Sequence, residues 1–158
     1  DVVTLVYNFR MNELQAAIGV EQVKKLDRFL GQRRANFEVL DGGLRDVDEL
    51  TLFDRPEGRF VSGHYCFNVM LDAADAAKRT GVIQALNARG IGTSVHYPGP
   101  VPQTTYYRDR FGHAPEDHPV ANWISNCSIA LPVGPHLDES HMETIVAAFK
   151  DVTSEVLS

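Results

Sequence analysis

Apolar positions along the chain change period several times, and each change marks a predicted element. Leu14, Ile18, Val23, Leu26, Leu30, Phe37 and Leu40 recur at helical spacing. Asn12 stands where an N-cap belongs, with Gln15 three residues on as its capping-box partner. This predicts one long helix over about 12–40, ended or interrupted by Asp41-Gly42-Gly43. A turn signal at Arg55-Pro56-Glu57-Gly58 precedes alternation from Phe60 to Leu71, with Val61, Tyr65, Phe67, Val69 and Leu71 on one side of a strand. A short helix follows over Thr80–Ala88, with Val82, Ile83 and Leu86 inward and Gly90 as its stop.

Ile91–Tyr97 reads as a second strand, after which Pro98, Pro100 and Pro102 predict a long loop reaching Pro119. Val120–Ser125 fits a short helix and Cys127–Leu131 a third strand. Asp138 then caps a last helix, whose stripe is Met142, Ile145, Val146, Phe149, Val152 and Val156. The expected fold class is α+β: a long N-terminal helix and a small antiparallel three-stranded sheet, with helices packed on one side. Three strands are too few for a doubly wound nucleotide-binding sheet.

The chain has 158 residues and 44% apolar content, enough for one packed domain. Fifteen basic against twenty-one acidic residues give a net charge of −6, which argues against non-specific nucleic-acid binding. No apolar run is long enough to span a bilayer and no signal peptide is evident, so no membrane partner is expected. Cys66 and Cys127 read as two free thiols, which suits the reducing cytoplasm.

Several familiar chemistries find no support. Gly90-Ile91-Gly92 leaves a helix and enters a strand, the reverse of a phosphate-binding fingerprint. The pairs His113/His118 and His136/His141 are five apart, so neither puts two ligands on one helix face, and no metal site is expected. There is no Gly-x-Ser-x-Gly elbow.

Three segments have residue choices that folding alone does not require. Tyr7-Asn8-Phe9-Arg10-Met11 precedes a helix N-terminus, a setting equally suited to an anion or to a plain capping turn. Ser94-Val95-His96-Tyr97-Pro98 ends a strand on a titratable ring just as a loop opens. Thr104 to Phe111 mixes aromatic and cationic side chains, which could pair with a sugar nucleotide or pack the loop down.

These segments, in this order, resemble the C-terminal part of DegT/StrS-type sugar aminotransferases of fold type I. The resemblance starts at Tyr7-Asn8-Phe9-Arg10-Met11 and Leu14-Gln15-Ala16-Ala17-Ile18-Gly19. It continues through Arg89 to Pro98 and Tyr106 to Phe111, and closes at Leu131-Pro132-Val133. It implies a pyridoxal-phosphate (PLP) enzyme, a homodimer with active sites at the subunit interface. Such an enzyme moves an amino group from glutamate or glutamine to a keto-sugar nucleotide by a ping-pong scheme.

The resemblance places Asn8 on the cofactor phosphate of the neighbouring subunit and His96 on the substrate side. Arg10 and Tyr97 fall near the site without a fixed role. Val6 stands where relatives carry glycine. The Schiff-base lysine belongs to an upstream large domain, so the resemblance makes residues 1–158 a single C-terminal small domain that includes the inter-domain helix. On that reading the chain holds no catalytic residue and is inactive alone. Two alternatives use the same scaffold, a non-catalytic dimerisation or regulatory module and a PLP-dependent sugar dehydratase.

Overall fold

The computed structural model describes residues 9–54, 58–72 and 76–157. The predicted long helix is two helices, α1 (Glu13–Val23) and α2 (Leu26–Leu44). The cap forms as expected: Gln15 N–H donates to Asn12 Oδ1 at 2.9 Å, and Asn12 N–H donates to Gln15 Oε1 at 3.2 Å. The break lies at Lys24-Lys25, where Lys25 N–H bonds the Gln22 carbonyl three residues back, a tightened turn that stops the helical ladder. α2 then runs through Asp41-Gly42-Gly43 instead of ending there. Gly43 faces α6 (Glu139–Leu157), and a Cβ there would sit 2.6 Å from Val146 Cγ2. Close helix approach, not chain reversal, is what that glycine serves.

The sheet has three antiparallel strands in the order β1 (Leu50–Leu52), β2 (Phe67–Leu71) and β3 (Ser128–Leu131). The number and sense of the strands agree with the sequence, but one identity does not. β1 lies in a polar linker and is only three residues long, too short for alternation to be seen. The predicted strand Phe60–Leu71 is regular only from Phe67, and Val61 and Tyr65, expected to face inward, are 95% and 76% exposed.

Ile91–Tyr97 makes a single bridge, Ser94 to Ala130, rather than a strand. The antiparallel ladder cannot extend toward Gly92, because the next donor on that side would be Pro132, which has no N–H.

Register puts Phe67, Val69 and Leu71 on one face with Ile129 and Leu131. These pack with Leu40 and Leu44 of α2, Val82 and Leu86 of α3 (Ala76–Ala88), and Met142, Ile145, Phe149 and Val152 of α6. The expected inward positions of the second and last helices are thus core positions. Arg79 in α3 is buried and donates to the Ser125 carbonyl of α5 (Pro119–Cys127), tying the two helices together. Asp138 caps α6 as expected, accepting the His141 N–H at 3.2 Å.

α1 contributes nothing to this core. Leu14, Ile18 and Val23 are 78%, 64% and 70% exposed. Within the expected long loop, Thr105–Phe111 forms the short helix α4. Among the described residues, no helix is long and apolar enough to cross a membrane.

Candidate functional site

After α3, Gly90 takes a φ of +79°, open to glycine without steric cost, and Ile91 N–H returns to the Leu86 carbonyl at 3.0 Å. The chain then runs extended along the free edge of β3. Ser94 N–H donates to the Ala130 carbonyl at 3.1 Å, and Ala130 N–H donates to the Ser94 carbonyl at 2.8 Å. Extended backbone repeats every two residues, so Gly92, Ser94 and His96 line one side of a cleft of about 280 Å³. Ala130 to Gly134 form its other wall, and Tyr65 and Cys66 close one end.

The structure therefore brings His96 against Leu131-Pro132-Val133, two segments that the sequence singled out separately. Tyr97 is 75% exposed and meets His96 edge-on, with ring centroids 6.2 Å apart, but it does not line the cleft. Arg10 is exposed on the segment leading into α1 and does not line it either. Asn8 lies outside the described residues. The Arg33 guanidinium sits 5.7 Å from the Tyr65 ring centroid, which sets a cation beside the mouth.

Tyr65 and Cys66 are site residues that the sequence did not reveal. Alternation puts Tyr65 on the same side of a strand as Phe67 and Val69, and the irregular backbone before Phe67 turns it outward. A larger cleft of about 600 Å³ opens between α2 and the 58–66 segment, with Phe37, Phe53 and Phe60 among its walls. It contains none of the predicted site residues, so the smaller cleft is the candidate.

The Thr104 to Phe111 segment pairs internally. Tyr107 stacks on Phe111 at 6.1 Å, Arg108 pairs with Asp109 at 3.0 Å, and the Arg110 guanidinium lies 5.9 Å from the Tyr106 ring centroid. All of these contacts lie within the segment, and Tyr106, Tyr107 and Phe111 stay exposed. Tertiary structure also brings the rings of His113 and His118 to 5.3 Å. Among the described residues, no group of three or more His, Cys, Asp or Glu is placed to hold a metal ion.

Set against the apolar Ala130, Leu131, Pro132 and Val133, the cleft's polar side chains are an imidazole, a phenol, a thiol and a hydroxyl. These suit hydrogen bonding to a polar ligand. None is an amine: Lys24, Lys25, Lys78 and Lys150 are all exposed on or between helices, away from the cleft. Among the described residues, the cleft thus offers groups for contacting a polar ligand and no amine to hold PLP covalently.

Comparison with known proteins bears on the same residues. The sequence model of the DegT/DnrJ/EryC1/StrS aminotransferase family matches residues 2–150. The erythromycin biosynthesis sensory transduction protein EryC1 of Saccharopolyspora erythraea is 30% identical over 145 residues, 90% of this chain and 37% of that protein. Spr1654 of Streptococcus pneumoniae, assigned as a sugar aminotransferase, has been solved in PLP and PMP forms. Its PLP form superposes with a TM-score of 0.86 at 25% identity, covering 100% of this chain and 40% of that one. The aminotransferase TlmJ of Streptoalloteichus hindustanus gives 0.82 at 25% identity, covering 100% and 41%. This chain therefore spans about 40% of the length of the proteins it matches. With the family's sequence pattern running through both walls of the cleft, the chain belongs to the DegT/DnrJ/EryC1/StrS aminotransferase family.

Proposed function

We propose that this chain is the C-terminal small domain of a PLP-dependent aminotransferase that moves an amino group from glutamate or glutamine to a keto-sugar nucleotide. The whole enzyme is a cytoplasmic homodimer, with α1 and α2 joining this domain to the large one. The observation that carries the reading is the superposition of the entire chain on Spr1654 in its PLP form.

The cofactor, held mainly by the large domain, supplies an electron sink to the reacting carbon when bound. This chain's residues bind and orient around it. His96, fixed through the Ser94–Ala130 pair, presents a ring nitrogen to a hydroxyl or phosphate oxygen of the sugar nucleotide. Pro132 and Val133 set the opposite wall and shield the reacting end from water. Asn8 donates to the cofactor phosphate of the neighbouring subunit, and Arg10 and Tyr97 stand on the approach to the site. Among the described residues no lysine lines the cleft, which supports the reading that residues 1–158 alone are inactive.

The test supplies the whole protein with PLP, glutamate or glutamine, and a panel of keto-sugar nucleotides, and reads products by mass spectrometry. An amino-sugar nucleotide is expected from the whole protein and none from residues 1–158. A deoxygenated sugar in place of an aminated one, or no product from any member of the panel, overturns the reading.

A further inference from the structure

A polar side chain turned into a core from a mid-helix position costs stability unless its polar atoms are all satisfied. Asn36 of α2 is such a residue, with 1% of its surface exposed. Its amide is fully engaged. Oδ1 accepts from Gln32 Nε2 at 3.0 Å, and Nδ2 donates to the carbonyls of Gly134 and Leu137, each at 3.1 Å. Those two acceptors lie 98 and 101 positions further along the chain, in the turn between β3 and α6. Gly134 is also the last residue of the cleft wall that faces His96, and Ala130 is the first. The wall is therefore tied at both ends, by Ser94 at Ala130 and by Asn36 at Gly134.

A side chain that served only to fill space at this position would be apolar, since a buried amide adds a desolvation cost that an aliphatic group avoids. The two long-range bonds are what the amide adds. We propose that Asn36 is a positioning residue for the substrate cleft: its amide fixes the Pro132–Leu137 turn and so sets the width of the cleft in which His96 meets the keto-sugar nucleotide. The inference rests on the aminotransferase reading above for the identity of that substrate.

Asn36→Leu in the whole enzyme introduces a helix-favouring side chain and removes both donated bonds, and Asn36→Ala repeats the test without added bulk. In a ping-pong scheme each half-reaction has its own kcat/KM. We expect the value for the keto-sugar nucleotide to fall about tenfold, the scale of one lost buried hydrogen bond, with the value for the amino donor unchanged. A simple loss of folded enzyme would lower both equally, and that result, or no change in either, overturns the proposal. Hydrogen exchange followed by mass spectrometry gives an arm independent of activity. The N–H groups of Val133, Gly134, His136 and Leu137 should exchange faster in both variants, while those of α6 keep their protection. Unchanged exchange in the turn overturns the positioning role even if the kinetics shift. A wild-type enzyme that aminates no keto-sugar overturns the functional reading, and with it the substrate assigned to this cleft, whatever the exchange shows.

Discussion

Ser94 and Ala130 exchange two backbone hydrogen bonds, at 3.1 and 2.8 Å, and this one pair joins the segment carrying His96 to the edge of the sheet. Backbone groups do the holding, so the His96 side chain is left exposed beside the cleft. His96→Ala should therefore change folding stability by less than about 0.5 kcal/mol, as at other surface positions. In the whole enzyme it should lower kcat/KM for the keto-sugar nucleotide by roughly tenfold or more, the scale of a hydrogen bond to a charged group. Urea unfolding and steady-state kinetics on the same preparation check both halves.

Asn8 lies outside the described residues, and its role rests on the family resemblance. Asn8→Ala in the whole enzyme should weaken cofactor affinity by roughly 1.5–3 kcal/mol, the value of a bond to a charged acceptor. Asn8→Asp should weaken it further, because a carboxylate then faces a phosphate. Titration of the cofactor-free enzyme with PLP, followed by fluorescence, reads the affinity directly. Equal affinity in wild type and Asn8→Ala would return this residue to a plain turn position.

Neighbouring glycines in α2 should respond oppositely to alanine. A Cβ at Gly42 meets nothing within 4 Å, so Gly42→Ala should stabilise by about 0.5–1 kcal/mol through backbone entropy. A Cβ at Gly43 meets Val146, so Gly43→Ala should destabilise by about 1–3 kcal/mol through overpacking. Adding Val146→Ala should recover part of that loss. A double-mutant cycle in urea measures the coupling, and additive effects would mean that α2 and α6 do not pack as closely as described.

Asp138 gives the last helix a pH-dependent cap. Hydrogen bonds from the Ser140 hydroxyl at 2.8 Å, the His141 ring at 2.6 Å and the His141 N–H hold its carboxyl at about 2. A depressed folded value means that the contribution is present above the unfolded value of about 4 and is lost as pH falls toward 2. Asp138→Ala should be less stable than wild type at pH 6, and the gap should close between pH 4 and pH 2. The group is exposed, so added salt should narrow the gap. Urea midpoints across that range, at two ionic strengths, decide it.

The exposed stripe on α1 predicts the behaviour of residues 1–158 in isolation. Leu14, Ile18 and Val23 leave apolar surface uncovered, which drives association in water. The isolated chain should self-associate, and Leu14→Glu with Ile18→Glu should weaken that association by more than about tenfold, since burying one such side chain is worth roughly 1.5–3 kcal/mol. Sedimentation velocity reads the association and circular dichroism checks that α1 stays helical. A wild-type monomer at high concentration would count against this use of α1.

The sequence by itself determined the elements whose signals are local. The Asn12–Gln15 capping box, the Asp138 cap and the stripes of α3 and α6 follow from side chains within one or two turns of each other, and the structure repeats them. Strands β2 and β3 and the family motifs around His96 and Leu131-Pro132-Val133 were legible for the same reason. Tertiary structure alone decided what depends on residues far apart in the chain. It made a strand of Leu50–Leu52, which has too few residues to show a period and forms because β2 offers a free edge. It reduced Ile91–Tyr97 to one bridge, with Pro132 blocking the ladder on the Gly92 side. It turned Tyr65 out of the core and into the cleft, and set Asn36 on a turn about a hundred residues away. Periodicity reports which face of an element is buried. Which distant backbone groups meet that face is fixed only when the elements pack, and here that meeting shapes the cleft.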